Sequence, residues 1–395
     1  MNSKKINIVI TGVCYFKGMA STNRVRNLLQ PLIEKDAIII KNIIANKGSF
    51  LEDISKSGVI SNVKYIYCGK GLGNPFVYFY QMIRGFNFLV KAKEKDISNI
   101  LYCYQSPDIT NIFYLIFSKL IGFKLIIDIT EDASLSNQNL KLKDKIKKQS
   151  VVLFEKLIPY IANSCIGITK HIVNKLEVIC KDKVPVYHIP ISVDFERLNI
   201  KQKSELIKEN ETIFYGGSYT VRDGIYSLID VFDKLASINQ NLFLKITGDT
   251  NVSYLKSTIL DRISKCQNKS RIIMTGYLSY EDYIKNLIAS DICCIPRTQS
   301  PYSNAGFPSK LGEFLASGSP VIVSQIGEVS LYLQNNFDSL IITPGSDEEL
   351  YQAIDYLLSN KEKSKILSEN GRNTALKYFD SRNHAKNLLE ILINC

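Results

Sequence analysis

Two successive series of short apolar segments, alternating with segments of helical period, constrain this chain more than any other feature. The first series runs through INIVI (residues 6–10), AIIIKNIIA, VKYIYC, ISNILYCY and FKLIIDI. The second begins near residue 211 and comprises ETIFYGG, LFLKITGD, SRIIMTG, DICCIP, PVIVS and SLIIT. Short apolar strands that alternate with helices are typical of parallel sheets covered on both faces. The sequence therefore predicts an α/β protein with two doubly wound, Rossmann-like domains.

A polar stretch rich in Lys and Glu separates the two series. It lies in VYHIPISVDFERLNIKQKSELIKENET and has the composition of a surface linker. We place an N-terminal domain at residues 1–195 and a C-terminal domain at 196–375, which suits a length of 395 residues. Residues 376–395 carry an apolar stripe at helical spacing, so we predict a helix that packs back toward the N-terminal domain.

Positive charge is concentrated in the first half of the chain. Residues 1–195 carry 27 Lys and Arg against 15 Asp and Glu, whereas residues 196–395 carry 22 against 23. An excess of this kind indicates an anionic partner, such as a membrane surface, a phosphorylated lipid, an acidic polymer or a nucleic acid. The alternative is a charge that only keeps the protein in solution, and the basic run KLKDKIKKQ (141–149) also fits a solvated helix face.

The aromatic and basic stretch NPFVYFYQMIRGFNFLVKAKEK (74–95) has two interpretations. It can contact an anionic membrane that carries a lipid-linked acceptor, or it can be a helix with its apolar residues in the core and its Lys outside. The N-terminus MNSKKINIVI lacks the apolar region of a signal peptide, and the nine Cys show no CxxC pair. We therefore expect a cytoplasmic protein with reduced thiols. Three distant His residues make a zinc site unexpected.

A glycine-containing loop follows the first strand, in TGVCYFKGMASTNRVRNLL. Gly12 and Gly18 precede a helix that Ser21 or Thr22 can cap. Glycine allows a backbone to approach a ligand, and the N–H groups at a helix N-terminus attract phosphate. Glycine at such a turn also often serves only the turn geometry. The later CGKGLGN (68–74) lacks the spacing of a dinucleotide fingerprint, so we interpret it as a flexible loop.

The second series opens with a glycine-rich loop, FYGGSYTVRDGI. Gly216 and Gly217 follow a strand, and Arg222 stands at the end of the loop. A glycine-rich crossing with a nearby cation is suited to a diphosphate. An exposed Arg in a turn is the alternative.

The segment FPSKLGEFLASGSPVIVS (307–324) predicts a nucleotide cradle. Pro308 suits a first helical turn, where the backbone N–H groups near Ser309 and Lys310 would point at an anion. Glu313, on the same helix face as Lys310, can accept hydrogen bonds from the vicinal hydroxyls of a ribose. A salt-bridged Lys–Glu pair at an exposed helix start is the alternative.

These motifs resemble the retaining glycosyltransferases of the GT-B fold, specifically glycosyltransferase family 4 (glycosyl transferases group 1). The resemblance is strongest over residues 210–360, where Arg222 stands at a family Lys and Glu313 at the second Glu of an E-x7-E motif. The turn at residues 276–278 matches the position where the family holds the nucleotide base. The resemblance implies a donor site formed by Gly18, Gly216, Gly217, Gly276, Tyr277, Leu278, Asn304, Phe307, Pro308, Ser309, Lys310, Leu311 and Glu313.

The chain departs from the family pattern at two positions. The first Glu of E-x7-E falls at Ala305, where we expect Asn304 or Ser303 to take its place. The active-site His of the family's N-terminal domain is absent, and the segment ITEDAS offers Glu131 and Asp132 instead. Some relatives also lack the first Glu, so this loss does not by itself imply inactivity.

The resemblance to the family is weaker in the first half of the chain. It rests on the early glycine loop with Arg24, which we place on the acceptor side, on Glu155, and on IPISVD.

The resemblance implies two domains that face a cleft and transfer a hexose with retention at the anomeric carbon. The donor is a nucleotide-sugar, most commonly a UDP-sugar, and the acceptor a glycan or lipid-linked sugar. Arg222, Lys310 and Glu313 would stabilise the donor and its leaving diphosphate without a metal. We expect a role in bacterial surface polysaccharide or glycolipid synthesis, at the inner face of the cell membrane.

Three alternatives come from other classes. Ala305 and the missing His fit a non-catalytic subunit that keeps the fold. A nucleotide-sugar epimerase would need acid and base groups that the motifs do not supply. A nucleic-acid-binding protein would use the basic half, but no recognition motif supports one, so we expect no nucleic-acid partner.

Overall fold

The computed structural model describes residues 5–16, 20–44, 55–68, 74–105, 109–135, 142–198, 210–248 and 253–395. The chain divides into two compact units. Unit 1 comprises Met1–Ser192 with Ser381–Cys395, and unit 2 comprises Val193–Asp380. Our sequence-based divisions, at residues 195 and 375, lie three and five residues from these limits.

In unit 1 the described residues form an eight-stranded sheet. Its strands are β1 (Ile6–Thr11), β2 (Ile38–Ile44), β3 (Ser57–Ile60), β4 (Val63–Tyr67), β5 (Ser98–Tyr104), β6 (Lys124–Ile129), β7 (Ser164–Gly167) and β8 (Val186–His188). Their order is β3-β4-β2-β1-β5-β6-β7-β8, and every pairing is parallel except that of β3 with β4. Ser61 and Asn62 join these two strands with positive φ, as a tight two-residue hairpin requires. The sequence analysis missed this hairpin, because β3 is exposed and carries no apolar run.

Five helices of unit 1 connect these strands within the described ranges. They are α1 (Ala20–Glu34), α2 (Pro75–Ala92), α3 (Ile109–Leu120), α4 (Leu142–Ile161) and α5 (Lys170–Cys180). Burial of consecutive residues on the central strands explains their apolar runs, since Ile8, Val9 and Ile10 are all fully buried.

Unit 2 contains a six-stranded sheet in its described part, in the order β11-β10-β9-β12-β13-β14 and parallel throughout. The strands are β9 (Glu211–Gly216), β10 (Leu242–Thr247), β11 (Ile272–Gly276), β12 (Ile292–Ile295), β13 (Val321–Ser324) and β14 (Leu340–Ile342). The helices are α6 (Phe195–Leu198), α7 (Ile225–Ile238), α8 (Ser253–Ser264), α9 (Tyr280–Ile288), α10 (Pro301–Ala305), α11 (Leu311–Ala316), α12 (Val329–Tyr332), α13 (Asp347–Ser359) and α14 (Lys361–Phe379). All six strands of the second predicted series are confirmed.

The last helix, α15 (Ser381–Asn394), belongs to unit 1. It packs against α1, and its residues Ala385, Leu388, Ile391 and Leu392 join the core of that unit. The apolar stripe seen in the sequence is therefore the buried face of this helix.

Three further properties concern the described residues. No helix among them is long and apolar enough to cross a membrane. All nine Cys lie in the described ranges, all are free thiols, and all but Cys395 are buried. No cluster of three or more His, Cys, Asp or Glu in these ranges is placed to hold a metal ion.

Candidate functional site

The carboxyl edge of the unit 2 sheet contains a point where the chain direction across the sheet reverses. From β9 the chain moves outward to β10 and β11, and from β12 it moves the opposite way to β13 and β14. The loops that follow the neighbouring strands β9 and β12 therefore diverge. In open α/β sheets this divergence leaves the crevice where ligands bind.

Asp223 anchors the loop that follows β9. It is buried, it accepts hydrogen bonds from the hydroxyls of Ser218 and Thr220, and its Oδ1 lies 3.2 Å from Nε of Arg297 and 3.8 Å from Nε of Arg222. Two guanidinium groups thus share one carboxylate. This leaves one net positive charge at the edge of the sheet, which suits an anionic ligand.

The loops after β9 and β12 are tied together by their backbones. The Thr298 N–H donates to the Arg222 carbonyl over 2.9 Å. Gly224 has φ +74°, and a Cβ built on it would lie 1.7 Å from the Pro296 carbonyl oxygen. A glycine is required at this contact, so Arg222 and Arg297 are held on a stiff support.

Arg222 is the predicted diphosphate cation, and the structure places it at this edge. Its guanidinium lies 4.7 Å from the centre of the Tyr302 ring, and its buried Nε has no hydrogen-bond partner among the described residues. Arg297 was missed in the sequence analysis. Its signal was a cation that directly follows the strand DICCIP, next to the reversal point of the sheet.

Lys310, Glu313 and Tyr283 form a second polar group in unit 2. Glu313 is only 4 % exposed, and its Oε2 accepts hydrogen bonds from the Tyr283 hydroxyl over 3.0 Å and from Lys310 Nζ over 3.3 Å. Lys310 Nζ also lies 4.4 Å from the centre of the Tyr283 ring. Burial, together with the nearby Glu313 carboxylate, raises the pKa of Tyr283 well above its ordinary value. The alternative interpretation was a salt-bridged Lys–Glu pair at an exposed helix start. Lys310 and Glu313 do form this pair, but the helix that carries Glu313 is buried.

The position of Pro308 differs from the prediction. Helix α11 begins at Leu311, and the Leu311 N–H donates to the Pro308 carbonyl over 2.9 Å. Pro308, Ser309 and Lys310 therefore lie in the turn that leads into the helix. A helix of six residues has a weak dipole, so charge here comes mainly from the Lys310 side chain.

Phe307 and Leu311 occupy the core rather than an exposed ligand surface. Phe307 packs against Tyr332 and Phe379, with ring centres 5.4 and 5.9 Å apart, and Leu311 is fully buried. Their apolar side chains are covered, so a donor could meet these two residues only through their backbone, and their place in the donor site stays a prediction.

Ala305 and its neighbours Ser303 and Asn304 lie in and around helix α10. Ser300 caps this helix by accepting from the Ser303 N–H over 3.0 Å. Ala305 and Ser303 are buried, whereas Asn304 is exposed. Of the two residues expected to replace the family Glu, Asn304 is the one whose side chain reaches the surface.

Three glycines hold the ends of β9, β10 and β11 close together. The Gly217 N–H donates to the Thr247 carbonyl and the Gly248 N–H to the Gly276 carbonyl, both over 3.1 Å. A Cβ on Gly248 would lie 2.1 Å from the Gly217 carbonyl oxygen. Gly276 has φ +68°, and Tyr277 after it is partly exposed. The predicted residues Gly216, Gly217 and Gly276–Leu278 therefore all lie at the carboxyl edge of the sheet.

Arg24 of unit 1 has a structural role. Its Nε and Nη2 donate to the two oxygens of Asp128, each over 2.9 Å, and its remaining contacts reach the carbonyls of Ile189 and Pro190. Tyr102 donates to the same carboxylate over 2.6 Å. The guanidinium is thus buried and paired within unit 1, and the place of Arg24 on the acceptor side stays a prediction.

Asp132, the predicted replacement for the family His, belongs to a cluster of charged residues after β6. It accepts from Lys175 Nζ over 2.7 Å and from Ser134, and its Oδ2 lies 3.4 Å from Nε2 of His171. Lys175 also pairs with Glu155 over 2.7 Å. Glu131 and Asp132 line a small cavity together with Ile129, Phe154, Glu155, Ile158, Ile172, Lys175, Leu176 and Ile179.

The protonation of this cluster follows from its pairing. Burial raises the pKa of Asp132, but hydrogen bonds from Lys175, Ser134 and His171 outweigh burial and hold that pKa below its ordinary value. Burial lowers the pKa of Lys175, and the carboxylates of Asp132 and Glu155 outweigh it and hold that pKa above its ordinary value. His171 was missed because its helix, α5, follows Asp132 by some forty residues.

Some predicted features lie outside the described residues. These are Gly18, residues 69–73 of the CGKGLGN loop, the polar linker at 199–209, and the side chains of the basic run up to residue 148.

A known family model matches much of the second half of the chain. The family model of glycosyl transferases group 1 matches residues 196–374, which is most of unit 2 and less than half of the chain. An uncharacterized glycosyltransferase of Methanocaldococcus jannaschii, MJ1069, is 23% identical over 65% of this chain and 66% of its own length. Another from the same organism, MJ1607, is 19% identical over 50% and 48%. The chain thus spans about half to two thirds of these relatives.

Solved structures match over nearly the whole chain. Sucrose-phosphate synthase from Thermosynechococcus elongatus has a TM-score of 0.74 at 15% identity, covering 98% of both chains. HepE from Anabaena, solved in complex with UDP-glucose, has a TM-score of 0.70 at 15% identity, covering 99% of this chain and all of its own. The protein therefore has the two-domain GT-B fold.

Proposed function

We propose that this protein is a glycosyltransferase that takes a sugar from a nucleotide-sugar held at the carboxyl edge of unit 2. One observation carries the proposal. Arg222 and Arg297, from the two loops at the reversal point of the sheet, share a single buried carboxylate and leave a net positive charge. This edge lies within the residues that match the glycosyl transferase group 1 family.

In this proposal the two Arg residues hold the diphosphate of the donor. They stabilise the negative charge that grows on the leaving group as the bond to the sugar breaks. Lys310 adds a third cation. Three fixed cations allow the reaction to proceed without a metal, which we retain as a prediction.

Glu313 is assigned to the ribose. Its carboxylate already accepts from Tyr283 and Lys310, so it is held in a fixed orientation. A carboxylate can accept hydrogen bonds from both hydroxyls of a ribose. The turn at Gly276–Leu278 is assigned to the base, and Asn304 to the transferred sugar.

The donor class is a UDP-sugar in this proposal. HepE, a structural neighbour, was solved with UDP and with UDP-glucose. We further propose retention at the anomeric carbon, as in the family that the sequence resembles. The acceptor would be a glycan or a lipid-linked sugar, taken by the basic unit 1, in synthesis of a bacterial surface polysaccharide or glycolipid at the inner face of the cell membrane.

A panel of nucleotide-sugars in a thermal-shift assay tests the donor site. A ligand that binds only the folded protein raises the melting temperature by mass action, so UDP and at least one UDP-sugar should raise it while UMP does so less. No shift with any nucleoside diphosphate or its sugars would contradict the proposal. A shift without donor hydrolysis or transfer to any acceptor would favour the non-catalytic subunit, for which Ala305 is the supporting feature.

A further inference from the structure

Helix α2 of unit 1 carries a stripe of large apolar side chains that face outward. Phe76, Phe79, Tyr80, Ile83 and Val90 are all exposed, and Phe76 is 86 % exposed. Their spacing of three, four and seven residues places them on one face of the helix. The opposite face, which includes Phe88, Leu89 and Ala92, is buried. The interpretation of this stretch as a helix with its apolar residues in the core therefore holds for one face of α2 and is wrong for the other.

The neighbouring helix α3 continues this surface. The two helices pack closely, since a Cβ on Gly85 would lie 2.2 Å from the Tyr114 hydroxyl and the rings of Phe86 and Phe117 are 4.5 Å apart. Phe113, Ile116 and Leu120 of α3 are exposed, with Leu120 at 79 %. We call the eight exposed residues of the two helices the α2–α3 face. They are Phe76, Phe79, Tyr80, Ile83, Val90, Phe113, Ile116 and Leu120.

The charged residues within these two helices have one sign. Helices α2 and α3 contain no Asp or Glu, and they contain Arg84, Lys91 and Lys119. Arg84 donates to Gln81 Oε1 and to the Lys56 carbonyl, and Lys119 donates to Asn163 Oδ1. These partners are neutral, so the positive charges are not compensated by them.

We propose that the α2–α3 face docks on the surface of an anionic lipid bilayer. Aromatic side chains settle at the boundary between headgroups and acyl chains, and flanking Lys and Arg bind lipid phosphates. A second copy of the chain is the competing occupant. In a two-fold dimer the same face would meet itself and bring its cations together without a carboxylate to pair them. This inference specifies the membrane contact of the proposed function and stands on surface features independent of the donor site.

A single fluorophore provides the first test, because the chain contains no Trp. Phe76→Trp places a reporter on the α2–α3 face, and Val178→Trp, on exposed α5 of the same unit, is the matched control. With vesicles of phosphatidylglycerol and phosphatidylcholine, emission of the first variant should shift to shorter wavelength and be quenched by brominated lipid, and the control should not change. An unchanged emission of Phe76→Trp, or equal shifts in both variants, would overturn the proposal.

Vesicle sedimentation of the full chain provides the second test. The protein should bind anionic vesicles and not pure phosphatidylcholine, and 0.5 M salt should weaken the binding, as expected for interactions screened over roughly 4–5 Å. Phe76→Ser with Phe79→Ser should reduce the affinity about a hundredfold, because each buried aromatic contributes roughly tenfold. Lys91→Glu should reduce it by a smaller factor, while Val178→Ser should leave it unchanged.

Light scattering and donor binding complete the design. If the double Ser variant converts a dimer to a monomer and the wild type ignores anionic vesicles, the face is a contact between copies and the proposal is wrong. Retention of wild-type vesicle affinity by the double variant also contradicts it. Donor thermal shifts should be the same in all these variants. If the donor thermal shift is absent and vesicle binding is normal, only the proposed transferase activity is contradicted. If the donor thermal shift is normal and vesicle binding is absent, only the membrane inference is contradicted.

Discussion

Nε of Arg297 lies 3.2 Å from Oδ1 of Asp223, and this contact joins the loop after β12 to the loop after β9. The two residues are 74 positions apart in the sequence and meet because β9 and β12 are neighbours in the sheet. The contact fixes Arg297 beside Arg222, which also lies near Asp223. A diphosphate would therefore meet two guanidinium groups that are already oriented.

Arg222→Ala and Lys310→Ala should each weaken donor binding and lower the transfer rate by on the order of 10²-fold or more, the usual cost of a lost electrostatic contact to a developing charge. Steady-state kinetics and thermal shift with the donor identified in the panel measure this. Lys265→Ala, an exposed Lys of unit 2 that pairs with Asp261, is the control and should behave as wild type. Wild-type kinetics in both variants would remove these residues from the site.

Asp223→Ala and Arg297→Ala should be energetically coupled. Asp223→Ala removes the carboxylate that pairs with Arg297, and Arg297→Ala leaves Asp223 with only the more distant Arg222 of the two cations. A double-mutant cycle in donor affinity should therefore show a coupling of about 0.5–3 kcal/mol. Calorimetric titration of UDP against the four proteins measures it. Additive effects, with zero coupling, would mean that the pairing does not orient Arg297 toward the ligand.

Glu313→Gln should reduce affinity for a ribonucleotide donor by roughly ten- to a hundredfold, because hydrogen bonds to a charged group are worth about 1.5–3 kcal/mol. This loss of affinity should depend on the hydroxyls of the ribose. Wild type should prefer UDP over 2′-deoxy-UDP, and the variant should show little preference. Tyr283→Phe is the comparison, because it removes one hydrogen-bond donor to the carboxylate and keeps the ring. If Glu313→Gln still prefers UDP over 2′-deoxy-UDP as wild type does, the ribose binds elsewhere.

Arg24→Met should destabilise unit 1 by about 3–5 kcal/mol, the cost of leaving the buried carboxylate of Asp128 without its partner. Urea unfolding followed by circular dichroism measures the change. The UDP thermal shift should persist, because the proposed donor site lies in unit 2. A stable Arg24→Met protein with impaired acceptor use would instead favour the predicted acceptor-side role.

Lys175→Met should lower stability most strongly at intermediate pH. The pKa of Asp132 is lowered by folding, so its contribution exists above the ordinary carboxyl pKa of about 3.9 and is lost as pH falls through the folded value. The pKa of Lys175 is raised by folding, so its contribution is complete below about 10.4 and is lost as pH rises through the folded value. The difference in unfolding free energy between wild type and variant should therefore shrink at both extremes. A pH-independent difference would mean that only packing is lost.

Local pattern predicted the fold and part of the site. Alternating apolar strands and helices led to the two parallel sheets, and the GT-B fold expected from the motifs is confirmed. Arg222 and Lys310 were predicted because each stands in a segment whose glycine and proline content marks a loop. The retention, the donor and the acceptor are still predictions.

The sequence by itself determined which segments are strands and where their loops lie, because hydrophobic period and turn residues act over short distances along the chain. Only the tertiary structure decided which charged groups meet. It paired Arg24 with Asp128, brought His171 to Asp132 and placed Arg297 against Asp223. It also decided that one face of α2 stays uncovered. Such contacts depend on strand order and helix packing, and these bring together residues that no local pattern connects.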